Sequence, residues 1–388
     1  VRTAKRIDSL PPYLFAELDR KVAEVRARGV DVISFGIGDP DRPTPAHIVE
    51  AGVAAMRDAA THQYPSYYGL PRFREAVAAY YLRRFGVELD PATQILPLIG
   101  SKEGIAHLAA AFVDPGDTVL APDPGYPVYE TGAILQGGRA AYFPLRAEDG
   151  FLPKLAEIPE DLARTSKMVW LNYPGNPTAA TCDLGLFTEA VGFASKNDLL
   201  LVHDAAYAEI TFDGYVAPSA LQAPGALDHA VEFGSLSKTY NMTGWRIGFA
   251  AGAAKAIEAL GRTKTNIDSG IFNAVQLAGV AALEGPQDCI AENVEVYRRR
   301  RDLVVGAFNN AGWLVEKPKG SIYVWVPVPE SETSAGFSES LLNQAGVFVT
   351  PGSGYGSQGE GYVRISLTVP DDRLEEGISR ISRALKER

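Results

Sequence analysis

The sequence predicts an α/β protein: a mostly parallel sheet covered by helices on both faces, followed by a smaller α+β unit. Three observations carry this. Four short apolar runs, TVLAP (118–122), KMVWLN (167–172), LLLVHD (199–204) and AVEFGS (230–235), alternate with segments of helical character. Strands that are apolar on both faces and separated by helices belong to parallel sheets buried on both sides. Near position 285 the pattern changes, with Gly285 and Pro286 as punctuation. Beyond them Ile290, Val294, Tyr297, Val304 and Phe308 recur at helical spacing up to Gly312. The runs SIYVWVPV, GVFVTPG and YVRISL then read as strands mixed with helices. The expected organisation is therefore a large domain over 45–283 and a small domain over 284–388. The first 44 residues, rich in Pro and Gly from position 36, are too few for a domain and are expected to pack on the small one.

Composition narrows the function. The chain has 388 residues, 46% of them hydrophobic, and a formal net charge of −10. That balance argues against nucleic acid or an anionic membrane as partner, because both need a basic footprint. Two cysteines, Cys182 and Cys289, are too few and too far apart for a disulfide framework or a structural zinc site, which fits a reducing, cytoplasmic setting. The opening VRTAKRIDSLPPYLF has no apolar core for a signal peptide, and no run approaches the roughly 18 apolar residues of a membrane helix. GYGSQG (354–359) matches a dinucleotide fingerprint, but the strand-like EGYVRISL follows it where a helix is required, so it reads as a turn. No phosphate-loop, HExxH or GxSxG motif occurs, and the five histidines are scattered, so no metal site is expected.

What remains is a set of polar residues at the carboxyl ends of the apolar runs. Asn172 and Asn176 lie in LNYPGNPT, Asp204 and Tyr207 in VHDAAY, and Ser235, Ser237 and Lys238 in GSLSK. Ligands of open α/β sheets sit at such strand ends. IGSKEG puts Gly100, Ser101 and Lys102 at the start of a helical run, where free N–H groups and the helix dipole favour an anion. Arg246 follows a few residues beyond Lys238. A lysine, a carboxylate, hydroxyl and amide donors and an anion cradle together form a kit for pyridoxal 5′-phosphate.

From GIGDPD (36–41) through YPSYYGLPRFREA, IGSKEG, DPGYPVY, NYPGNPT, HDAAY and SLSKTYNMTGWRIG to YVRIS (362–366), the sequence resembles the class I/II aminotransferases of fold type I. LPPYLF with GIGDPD, GSKEGIAH and NPTAA is most similar to the LL-diaminopimelate aminotransferase branch. The resemblance implies a seven-stranded, mostly parallel sheet, pyridoxal 5′-phosphate, amino acid and 2-oxo acid substrates, and a homodimer with shared active sites. It gives Lys238 the Schiff base and the carriage of the α-proton, Asp204 the pairing with the pyridine nitrogen, and Asn176 and Tyr207 the ring's phenolic oxygen. Tyr126 would stack on the ring. Gly100, Ser101, Lys102, Ser235, Ser237 and Arg246 would surround the phosphate, and Tyr64 would reach the phosphate of the neighbouring subunit. Arg364, helped by Gly38 and Asn172, would grip the substrate α-carboxylate, and closure of the two domains would exclude water.

The expected activity is ping-pong transamination from an amino acid, LL-2,6-diaminopimelate first, to 2-oxoglutarate. An aspartate, alanine or broad-range aminotransferase and a β-lyase share the same motifs. A non-catalytic ligand-sensing domain is disfavoured, since the enzyme-like part begins almost at once. Tyr13, Tyr67, Tyr68 and Glu103 are candidates for the distal end of the substrate. Many relatives read NPTG where this chain has Asn176-Pro177-Thr178-Ala179.

Overall fold

The computed structural model describes residues 1–11 and 14–386. Its strands are β1 (Ile33–Ser34), β2 (Ile95–Leu98), β3 (Thr118–Asp123), β4 (Arg139–Pro144), β5 (Ser166–Leu171), β6 (Leu200–Asp204), β7 (Ala230–Ser235), β8 (Gly248–Gly252), β9 (Tyr323–Pro327), β10 (Val347–Phe348), β11 (Thr350–Pro351) and β12 (Tyr362–Ser366). Seven of them form the large sheet in the order β2-β8-β7-β6-β5-β3-β4. β8 runs antiparallel to both its neighbours and the other contacts are parallel.

The two-residue alternation of each strand feeds two separate cores. Val169, Leu171 and Leu201 point into one apolar cluster, and Met168, Trp170 and Val202 into the other. Trp170 is stacked on Tyr129 at 4.7 Å. Its removal would cost about 3–5 kcal/mol, the usual penalty for an emptied aromatic core position. Because β5, β6 and β7 sit centrally and are covered on both faces, they read in the sequence as continuous apolar runs.

β11, β12 and β9 make an antiparallel sheet, backed by the helix Asp288–Asn310, whose Tyr297, Val304 and Phe308 are buried. The GVFVTPG run is split: β10 pairs in parallel with β1, and β11 pairs with β12. Through β1 the N-terminal stretch is stitched to this unit, with Ser366 N–H donating to the Phe35 carbonyl at 2.9 Å. The GIGDPD segment is thereby laid beside β12. GYGSQG closes two 3₁₀ turns ahead of β12. Its Ser357 and Gln358 N–H groups donate to the carboxylate of Asp123, at 3.1 and 3.0 Å, so it cradles a side chain at the end of β3. Among the described residues, no helix is long and apolar enough to cross a membrane.

Candidate active site

A cavity of about 390 Å³ lies at the carboxyl ends of β3, β5, β6 and β7, roofed by β9 and β12. The strand directions explain the convergence. β2 and β7 both point toward this end, and β8 begins there, with Leu98 and Ser235 each opposite Gly248. A Cβ on Gly248 would lie 2.9 Å from the Ser101 nitrogen and 2.8 Å from the Gly234 carbonyl, so only glycine lets the three strands meet this closely. Gly100, at φ +75°, ends the β2 turn and caps the helix Ser101–Phe112. A Cβ there would stand 2.2 Å from Arg246 Nη2. The first turn of that helix, the Ser235 and Ser237 hydroxyls and the Arg246 guanidinium therefore face one corner of the cavity, a donor-rich anion cradle.

Lys238 sits in the short helix Leu236–Thr239 immediately after β7. Its Nζ donates to the Gly38 carbonyl at 2.6 Å. Burial pushes its pKa down to about 8; the Asp39 carboxylate opposes the shift, and the Arg246 and Arg364 charges add to it. An amine in this state is readily neutral and nucleophilic.

Asp204 ends β6 and is buried. Its Oδ2 accepts from the Tyr129 hydroxyl at 2.9 Å, while Oδ1 is buried with no partner in hydrogen-bond geometry. Burial raises its pKa, against which the Tyr129 hydroxyl, the His203 charge and the Ala206 N–H act. On the opposite face of β6, His203 Nδ1 lies 2.8 Å from Glu232 of β7, and both are almost fully buried. Burial pushes Glu232 up, but His203, Tyr81 and the Ala220 N–H together hold it below the ordinary carboxylate value.

Asn172 and Asn176 form a relay. Asn172 Nδ2 donates to the Asp204 carbonyl at 2.6 Å, and its Oδ1 accepts from Asn176 N–H at 2.7 Å. Asn176 Oδ1 in turn accepts from Arg364 Nη1 at 2.7 Å. Arg364, 1% exposed, also donates to the Gly36 carbonyl and lies with its guanidinium carbon 4.0 Å from the Tyr323 ring centre. The Tyr207 and Tyr323 hydroxyls are 3.2 Å apart. Burial first, then Tyr323 and Asp204, pushes the Tyr207 phenol well up, so it remains a hydroxyl.

Of the residues singled out in the sequence, Gly38, Ser101, Lys102, Tyr126, Asn172, Asn176, Asp204, Tyr207, Ser235, Ser237, Lys238, Arg246 and Arg364 line this cavity. Gly100 abuts it through Arg246. Tyr64, 89% exposed, lies outside it, as do Tyr67 and Tyr68. Glu103 is turned away, engaged by Lys264 and by the Ile99 N–H. Tyr13 lies outside the described residues. Sequence reasoning missed Asp39, Thr243 and Tyr323 in the lining and Tyr129 behind Asp204. The signal for Tyr323 was present, since alternation in SIYVWVPV places it on one face with Trp325, whose cross-strand partner is Arg364.

The model of the family "Aminotransferase class I and II" matches residues 30–381. The chain is 56% identical over 385 residues, 99% of each chain, to the LL-diaminopimelate aminotransferase of Moorella thermoacetica. It is 52% identical to LL-diaminopimelate aminotransferase 2 of a Nostoc species, covering 98% of each. Among solved structures, substrate-bound BacF from Bacillus subtilis superposes with a TM-score of 0.95 at 36% identity, over 99% of this chain and 98% of that one. A probable N-succinyldiaminopimelate aminotransferase from Thermus thermophilus gives 0.90 at 38%, over 96% and 100%.

Proposed function

The chain belongs to the class I and II aminotransferase family, and from that premise we propose that its amino donor is LL-2,6-diaminopimelate and its acceptor 2-oxoglutarate. Membership makes it a pyridoxal-phosphate-dependent transaminase acting on amino acids and 2-oxo acids. The donor reading is supported by the names of relatives more than half identical over nearly the whole chain.

The observation that carries the site is the grouping, in one cavity, of a pKa-lowered lysine, a buried carboxylate with one oxygen unpartnered, and a donor-rich corner at a helix start. These fit the cofactor. Lys238 would hold its aldehyde carbon, Asp204 Oδ1 its ring nitrogen, Tyr126 its ring face, and Asn176 and Tyr207 its phenolic oxygen. The Ser101 helix start, Gly100, Lys102, Ser235, Ser237 and Arg246 would hold its phosphate. When bound, the cofactor supplies an electron-withdrawing ring that makes the substrate α-proton acidic.

The chain does the rest. Arg364 takes the α-carboxylate in a paired contact, at present occupied by Asn176 Oδ1 and the Gly36 carbonyl, and Asn172 and Gly38 complete that end. Lys238 Nζ, held as a readily neutral amine, would be the base that takes and carries the substrate α-proton. Asp204 Oδ1, buried without a partner, is placed to pair with a cationic ring nitrogen, which would favour the carboxylate against its burial. The same cavity serves donor and acceptor in turn, since both carry an α-carboxylate for Arg364.

The active enzyme is read as a cytoplasmic homodimer of two-domain subunits, 45–283 and 284–388, with 1–44 on the smaller. Tyr64, Tyr67, Tyr68, Ile267 and Phe272 are exposed on two segments that meet where Gly270 lies against the Ser66 carbonyl. A second copy seated there would let Tyr64 reach the phosphate site of its neighbour. Sedimentation should give a dimer. A donor panel with 2-oxoglutarate, following glutamate, tests the substrate: a clear preference for LL-diaminopimelate over aspartate, alanine, an aromatic amino acid and N-succinyl-diaminopimelate is expected. Inertness toward it would overturn the donor assignment, and pyruvate and ammonia released without a 2-oxo acid would mark a lyase.

A further inference from the structure

A second cavity of about 360 Å³ opens on the other side of the NYPGNPT turn, between the large sheet's flank and the outer end of β9 and β12. One wall is Phe151 and the stretch 178–181; the other is 314–319 with Trp325 and Tyr362. The aromatic floor is preformed. Trp325 and Tyr362 stack with centres 5.2 Å apart and planes within 8°, and Phe151 meets Tyr362 edge-on at 5.6 Å. Trp325 is 7% exposed, yet its indole N–H has no acceptor. Two wall residues, Phe151 and Ala179, are non-glycines held at φ +58° and +56°. Such strain persists where the surroundings impose it and gathers at ligand sites.

The rim carries both signs. Lys319, exposed, forms no ion pair among the described residues, and Lys317 reaches only Asp302, at 3.2 Å. Glu316 directly precedes Lys317 in sequence, and Glu148 is close enough to Tyr362 to help raise that phenol's pKa after burial. A bare anion would meet Glu148 and Glu316, and a bare cation the two lysines. We propose that this cavity binds a free zwitterionic amino acid with a flat aromatic side chain, its ring on Trp325 and Tyr362, its carboxylate toward Lys319 and its ammonium toward the rim carboxylates. The site is independent of the transamination assignment and shares no lining residue with the first cavity.

The test uses holoenzyme saturated with pyridoxal phosphate and with excess maleate to occupy the first cavity. L-Tryptophan, indole-3-propionate, which lacks the ammonium, and tryptamine, which lacks the carboxylate, are titrated by saturation-transfer NMR and calorimetry. L-Tryptophan is expected to bind despite maleate, about tenfold more tightly than either analogue, a difference of about 1.4 kcal/mol. Lys319→Glu should weaken it at least tenfold and Ala147→Trp, which fills the mouth from an exposed position, should abolish it; both positions are exposed, so folding is spared. Displacement by maleate, equal binding of the analogues, or unaltered binding in both variants would each overturn the proposal.

Discussion

Lys238 and Lys264 are both lysines taken out of water, and their surroundings differ in kind. Lys264, 1% exposed between the helices Ser101–Phe112 and Ala254–Thr265, is clamped by Asp268 at 2.8 Å and Glu103 at 3.4 Å, with His107 beside Glu103. Its ammonium stands inside the one group of three His, Cys or acidic ligands among the described residues, Glu103, His107 and Asp268, that could otherwise surround a cation. Lys238 has a carbonyl as hydrogen-bond partner and two guanidiniums within range. Burial with carboxylate partners yields a structural ion pair; burial without a close one yields a base.

Exchanging each lysine sharpens the contrast. Lys238→Ala should cut transamination by at least about 10³-fold, in keeping with loss of both the covalent anchor and the proton carrier, with an unchanged melting temperature. Lys264→Ala should do the reverse, costing about 3 kcal/mol in a denaturant melt because two part-buried carboxylates lose their cation, while kcat stays near wild type. Near-normal turnover in the first, or a dead but stable second, would erase the distinction.

Asp204→Asn keeps the shape and removes the charge, so kcat should fall about 10²- to 10³-fold, read beside the cofactor's absorbance spectrum. Arg364→Lys keeps the charge and removes the paired geometry. The donor KM should rise about tenfold or more, as for one charge-assisted hydrogen bond lost.

The smallest effect is a pH profile. The folded chain holds the Lys238 proton less tightly than an ordinary lysine, so the reactive neutral amine accumulates as pH rises through about 8. Capture of pyridoxal phosphate by the cofactor-free chain should accelerate from pH 7 to 9 with its midpoint there. A midpoint near the free-lysine value, about 10.4, would show that burial is not what activates it.

How far these differences were legible depended on position in the sheet. β5, β6 and β7 announced themselves because both of their faces are apolar. β2 contains a proline at the sheet edge, β4 is partly exposed at the other edge, and β8 is GFAAG, with too little side chain to signal a strand. The polar residues in short motifs after central strands all reached the cavity. Tyr129 was hidden because its role is contact across the chain, with a carboxylate 75 positions away. Spacing along the chain does not reveal that Glu103 faces Lys264, 161 positions away, rather than a substrate.

The reversal of β8 has a consequence for how the site comes together. Lys238 and Arg246 lie within one excursion, 236–247, that leaves β7 and returns into β8 beside it, so pairing Ser235 with Gly248 delivers both cations at once. A loop this short closes with little entropic penalty, whereas Arg364 arrives only when β12, from the far end of the chain, docks beside residues 35–36. The corner holding Lys238 and Arg246 is therefore completed by one short excursion together with the β2–β8 pairing that brings in Gly100 and Ser101, whereas the corner holding Arg364 depends on contacts that span most of the chain.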